Sequence, residues 1–321
     1  MRKSSGRRGT HEGRKQSTAA SSATAWWEHF GLREPPFGLT PDTSFFFPAL
    51  PHQEAHETLR YALNAGEGFL VVEGEVGTGK TLLLRRVLNT LPARWQAAFV
   101  PNPGLDPRGL YAAIANEFGV PADGAREDLL HRLERHFIAL ARQARQPVVL
   151  IDEAQALPAD TLEAVRLLTN LETEKRKLLQ VVLFGQPELM TRLHEKNTRQ
   201  ILTRISFHAV LRPLDRREMA AYVSHRLKVA GGDGALFTRW AAHALWRVSR
   251  GLPRLANIVA AKAMMLAFGR GAQQVTRRHV MAAARDTLAA RKGVSVAPLA
   301  WGLALLGLTA AAAAAGWRFL G

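Results

Sequence analysis

The run Gly74-Glu75-Val76-Gly77-Thr78-Gly79-Lys80-Thr81 closes an apolar stretch, FLVVEG, and opens an amphipathic one. Its spacing is G-x-x-x-x-G-K-T. Glycines at those places let backbone N–H groups turn inward around a phosphate chain, and a helix that follows adds the positive end of its dipole. Lys80 is expected to reach the β and γ phosphates as a point charge, and the Thr81 hydroxyl to ligate Mg²⁺. Such a loop needs an acidic group at the end of a neighbouring buried strand. PVVLIDEAQ, residues 147–155, supplies Asp152 for the metal and Glu153 as a base or water-positioner. ATP and Mg²⁺ are therefore the expected cofactors, and ATP hydrolysis the expected reaction.

Three further polar positions fall where this chemistry would use them. VVLFGQPEL places Gln186 just past a strand end, within reach of the γ-phosphate and the attacking water, although a turn glutamine reads the same way. RQILTRI brings Arg199 and Arg204 to the approach of another strand. Either one suits an arginine that points into a neighbouring subunit's nucleotide, and either one also suits a surface or sheet-capping arginine. SRGLPRLANIV sets Arg254 at a helix start after Gly251 and Pro253, placed to swing onto the γ-phosphate or, failing that, to pack or face solvent.

Elements that could position these residues follow from periodicity. Phe69–Glu73, Gln96–Pro101, Pro147–Asp152, Leu179–Gly185 and Phe207–Leu211 read as short strands. Amphipathic stretches at Thr81–Leu91, Arg108–Phe118, Glu127–Ala144 and Thr161–Leu171 lie between them. Strands separated by helices predict an α/β three-layer sandwich around a parallel five-stranded sheet. Past Asp215 only helical patterns appear, at Arg217–Val229, Ala235–Val248, Pro253–Phe268 and Thr276–Ala290, which predicts a helical lid. The leader around Phe30, Pro35, Pro36, Phe37, Pro41 and Asp42 reads as a stiff extended segment. It is expected either across the nucleotide's base or as a strap on the sheet edge.

Composition bounds the rest. The 321 residues are 47% hydrophobic, enough for one sizeable core, and the net charge of +16 calls for a polyanionic partner such as a nucleotide, nucleic acid or anionic lipid. Part of that charge is a tail property, since Arg2, Lys3, Arg7, Arg8, Arg14 and Lys15 face only Glu12 in the first 25 residues. The absence of cysteine excludes disulfides, thiol nucleophiles and thiolate metal sites. From Val294 to Trp317 no residue is charged, a length that matches a bilayer core of roughly 30 Å. Arg285, Arg291 and Lys292 precede it, so the basic-side rule puts the body of the chain in the cytoplasm, with a soluble Ala/Leu helix as the other reading. The expected divisions are a disordered basic tail at 1–25, an α/β core with its strap at 26–213 and a lid at 214–292, followed by a transmembrane helix at 293–317 and a short tail at 318–321.

With FGLREPPFGLTPD, GEVGTGKT, PNP at 101–103, IDEAQ, LLTNLET at 167–173, FGQPEL and GLPR, residues 29 to 260 resemble the AAA+ ATPases of the general secretion pathway protein A family. Within it the chain resembles the short branch, the MSHA pilus biogenesis ATPase. The resemblance implies a P-loop NTPase of the AAA+ kind that acts as a homo-oligomer in the ATP-driven assembly of a type II secretion or type IV pilus machine at the inner membrane. Longer relatives continue past their span into a periplasmic peptidoglycan-binding module, whereas Arg318–Gly321 alone follow Trp317 here. Cell-wall contact is therefore expected to come through a second inner-membrane protein. The alternatives are a DNA-directed AAA+ protein of the transposition-helper kind and an exopolysaccharide-export ATPase. Nucleic acid is not an expected partner, because no helix-turn-helix or aromatic-and-basic platform stands out.

Overall fold

The computed structural model describes residues 26–40, 42–101, 104–173 and 176–291. Five strands, β1 (Phe69–Gly74), β2 (Trp95–Val100), β3 (Gln146–Ile151), β4 (Gln180–Gly185) and β5 (Phe207–Leu211), form one sheet in the order β2-β3-β4-β1-β5. Every pairing is parallel, with β1 between β4 and β5 in the register Leu70↔Val182 and Leu70↔Phe207. These are the five strands that the sequence predicts. Alternation of side chains explains how one apolar run serves two faces. Phe69, Val71, Val149, Ile151, Val181 and Leu183 look one way, and Leu70, Val72, Val148, Leu150, Val182 and Phe184 the other.

The first set is covered by helices α3 (Pro107–Glu117), α4 (Arg126–Arg142) and α5 (Ala159–Leu168), through Leu110, Ile114, Leu129, Leu133, Phe137 and Val165. The second is covered by α1 (Leu50–Ala65) and α2 (Lys80–Thr90), through Ala55, Leu59, Leu83, Leu84 and Val87. No side-chain cap marks the start of α1 in the sequence, since its N-cap is Ala49. What ends it is Gly66, at φ 83°, whose N–H returns to Ala62 and Leu63 carbonyls.

Two short helices, α6 (Pro187–Leu193) and α7 (Arg199–Leu202), lead into β5. The lid then comprises α8 (Arg216–Val229), α9 (Arg239–Ser249), α10 (Pro253–Phe268), α11 (Arg277–Arg285) and α12 (Leu288–Arg291). Helix α9 starts four residues later than its periodicity suggests. Thr238 caps Ala241 N–H at 3.2 Å, and the preceding Phe237 bridges to Val275 instead of coiling.

The leader departs from the expectation of a strap on the sheet edge. Leu32, Phe37 and Phe45 are buried in the lid's apolar cluster, not on the sheet edge. Its extended carbonyls lack partners of their own, and the lid supplies them: Asn257 Nδ2 donates to Gly38 O at 3.2 Å, and Arg226 Nε donates to Pro36 O. Arg33 N–H in turn reaches Ala230 O at 2.8 Å. Beside β5 the space is taken by α1, where Tyr61 meets Phe207 at 5.9 Å between ring centroids. Among the described residues no helix is long and apolar enough to cross a membrane. The expected span at 293–317 lies outside them, as do the tails at 1–25 and 318–321.

Candidate nucleotide-binding site

Between β1 and α2 the chain turns through Gly77 at φ 84° and Gly79 at φ 103°, backbone states that side chains with a Cβ rarely adopt. Contact as well as conformation requires these glycines. A Cβ on Gly77 would lie 2.7 Å from Arg254 Cβ, and one on Gly79 would lie 2.8 Å from His52 Nε2. Inside the loop, Thr78 Oγ1 donates to Glu75 O at 2.9 Å. Lys80 Nζ donates to Gly74 O at 2.7 Å and Glu75 O at 3.1 Å, so the ammonium is folded into the loop's own concavity. Burial lowers its pKa, opposed by the negative charges of Glu153 and Asp152.

Strand β3 delivers the acids. Thr81 Oγ1 donates to Asp152 Oδ2 at 2.7 Å, and Glu153 N–H donates to Asp152 Oδ1 at 2.9 Å. Burial raises the Asp152 pKa, while those two hydrogen bonds act to lower it. Glu153 itself sits at φ 52°, left-handed for a residue that is not glycine. Its Oε2 accepts from Gln155 Nε2 at 2.6 Å and from Gln186 Nε2 at 3.1 Å. Gln155 Oε1 accepts from Gln186 N–H at 3.0 Å, and Arg192 donates to Gln155 O. The ends of β3 and β4 are thus tied together through one carboxylate.

The lid reaches the loop through Arg254. Arg254 N–H, in the first turn of α10, donates to Gly77 O at 3.2 Å, and the Arg254 side chain is exposed. Gly251, at φ 76°, makes this approach possible, since a Cβ there would lie 2.3 Å from Leu214 O. Glu75 and Val76, at the loop's outer turn, are exposed. Arg199 and Arg204 are elsewhere. Ser206 N–H donates to Phe69 O at 2.9 Å, which sets the residues before it at the start of β1. That is about 17 Å from the loop, five residues at 3.3 Å each. Arg199 is exposed and Arg204 half-buried.

Two contributors escape sequence reasoning. His52, on α1, is buried, and its Nε2 lies 2.9 Å from Thr78 O. A carbonyl only accepts, so Nε2 carries the hydrogen and Nδ1, which has no partner, is bare. Nothing in the sequence links residue 52 to residue 78. Gln155 had a signal, its place two residues after Glu153, but not the geometry that makes it a clamp.

A dication meeting Thr81 and Asp152 finds a hydroxyl and a carboxylate oxygen in contact, the hard-oxygen chemistry that suits Mg²⁺. Among the described residues no group of three or more His, Asp or Glu could hold a metal. This donor set suits an ion carried on phosphate oxygens, as Mg²⁺ is on nucleotides.

The parallel sheet, the glycine loop between β1 and α2, and the lid that reaches that loop define a P-loop protein of the AAA+ class; a family model described as AAA domain matches residues 63–193. Its AAA domain and nearly all of its length are similar to a general secretion pathway protein A. The chain is 42% identical over 298 residues, 92% of this chain, to General secretion pathway protein A of Aeromonas hydrophila, and it spans 54% of that relative's length. Among solved structures, Cdc6p from Pyrobaculum aerophilum superposes with a TM-score of 0.60 at 19% identity, over 77% of this chain and 71% of that one. Drosophila ORC bound to DNA superposes at 0.55 with 20% identity, over 88% and 70% of the two chains. At such identities the likeness is one of fold alone.

Proposed function

We propose that the chain is a membrane-anchored ATPase that binds and hydrolyses ATP with Mg²⁺ to drive assembly of a bacterial envelope export machine, of the type II secretion or MSHA pilus kind. The observation that carries this is the 2.7 Å contact between Thr81 and Asp152, in a chain 42% identical to a general secretion pathway protein A. It joins the phosphate loop to the acidic strand end at the place a nucleotide-borne metal needs. When bound, Mg²⁺ neutralises charge on the β and γ phosphates.

The chain's own residues do the remainder. Backbone N–H groups of residues 74–81 line the phosphates, and Lys80 adds a desolvated positive charge. Glu153 orients the attacking water and receives its proton. Gln155 and Gln186 hold that carboxylate in place, and Gln186 lies beside it to register the γ-phosphate. Arg254, adjoining Gly77, stabilises the charge that develops on the transferring group. Arg204, at the opposite end of the sheet from its own loop, does the same for a neighbouring copy, which makes the working form a homo-oligomer. The charge-free run from Val294 anchors the chain in the inner membrane with its ATPase domain cytoplasmic, beside a second membrane protein that reaches outward.

Replacing the chromosomal copy tests this reading as a whole. Cells carrying Glu153→Gln, or a chain lacking residues 294–321, should retain the protein yet fail to assemble the export machine. Full assembly by either variant contradicts the proposal.

A further inference from the structure

The lid carries a second concavity, remote from the phosphate loop. Helices α9 and α11, with Arg270 from the turn after α10, enclose a groove of about 1460 Å³. Arg247, Arg270, Arg277 and Arg278 line it and are exposed, and no carboxylate lines it. Among the described ion pairs none involves these four, the nearest lid pair in sequence being Lys262 with Asp286. Their field reaches the groove's histidines. Burial first, then the charges of Arg216, Arg247 and Arg277, lower the pKa of His243; burial and Arg270 do so for His279. Like charges gathered around one hollow repel one another, and the guanidinium fork matches phosphate oxygens.

We propose that this groove seats the lid on the membrane surface by taking the phosphodiester headgroups of acidic phospholipids, a role that rests on the anchored reading above. Chain continuity favours a bilayer over a nucleic acid. Ala290 is fully buried in the lid's apolar cluster, and the charge-free run begins at Val294. Four residues reach at most about 14 Å, so an inserted run holds this end of the lid at the headgroup layer. The exposed apolar residues agree. Trp240 on the groove is 60% exposed, and Met265, Leu266 and Phe268 stand exposed within five residues of Arg270. Arginine mixed with exposed tryptophan and aliphatic side chains suits a lipid interface, where each apolar group gains a partner, better than a duplex backbone.

The groove and the loop do not compete. Arg254 opens α10 at the loop and Arg270 follows its far end, so the 16-residue helix separates the two by about 24 Å. One helix therefore touches the nucleotide loop at one end and the lipid surface at the other, a direct route by which nucleotide state reaches the membrane.

Amide hydrogen exchange of the full chain reconstituted into vesicles tests this. The vesicles are phosphatidylcholine alone or with about a third phosphatidylglycerol, and a carbonate wash reports insertion. Amides of α9 and α11 should exchange about tenfold more slowly with phosphatidylglycerol present, and an Arg247→Glu/Arg277→Glu/Arg278→Glu chain should lose that protection while still binding nucleotide. The milder Arg277→Gln/Arg278→Gln chain should lose part of it. Equal exchange in the two vesicles overturns the proposal, as does protection by a short DNA duplex that phosphatidylglycerol does not give. A chain washed off by carbonate refutes the anchor alone; vesicles added to it still read the groove, protection by phosphatidylglycerol supporting the proposal and its absence overturning it.

Discussion

Glu153 is held by neighbours on two strand ends, and its left-handed backbone keeps the carboxylate aimed across the sheet. Removing either glutamine leaves the carboxylate but frees its direction. Gln186→Ala and Gln155→Ala should each slow ATP hydrolysis by about ten- to a hundredfold, with ATP affinity little changed, because a small misplacement of a reacting group costs rate more than binding. Steady-state turnover beside equilibrium binding of a fluorescent ATP analogue separates the two. Unchanged turnover in both variants would make the clamp a passive packing feature. At this scale the sequence is legible where the chemistry is local. GEVGTGKT and IDEAQ each compress a set of contacts into a few residues, so loop, metal hydroxyl and acids can all be read from spacing. His52 cannot, because its contact with Thr78 exists only once α1 packs beneath the loop.

Among elements, the leader is the one whose place the sequence leaves open. Its prolines and phenylalanines announce an extended apolar segment, but not which surface receives it. The lid does so because it offers both apolar depth and side-chain donors to the leader's free carbonyls. Phe37 is 4% exposed and meets Phe237 edge-on at 5.8 Å. Phe37→Ala should therefore cost about 3–5 kcal/mol by urea denaturation, and the lid should become the preferred site of proteolysis. A loss below about 1 kcal/mol would place Phe37 outside the cooperative core. The five strands were legible because each is a short run of Val, Leu and Ile bounded by polar residues, and two-faced burial asks for little else. Their order in the sheet is set by pairings between distant residues, and the sequence is silent on it.

For the whole molecule, burial gives stability a pH signature. His52, His56, His136, His243 and His279 all have pKa values lowered from 6.5, with burial the largest cause in each. The unfolded chain then binds more protons than the folded one from about pH 6.5 down through the folded values, so stability is full above that range and is lost as pH falls through it. Thermal melting should show Tm falling between pH 7 and 5.5, above the range where carboxylates titrate, and His52→Gln should remove part of the fall. A flat Tm over that interval would mean that these imidazoles keep access to water. The proposed activity depends on chemistry at a single place, where loop, metal hydroxyl and acids converge. Its most direct test is Mg²⁺-dependent ATP hydrolysis by the full chain, measured beside Lys80→Ala and Glu153→Gln. The wild type should turn over ATP and stop with EDTA, Lys80→Ala should lose binding, and Glu153→Gln should bind ATP and hydrolyse it at least about a hundredfold more slowly. Wild-type turnover in the Lys80→Ala chain, or turnover indifferent to Mg²⁺, would contradict it.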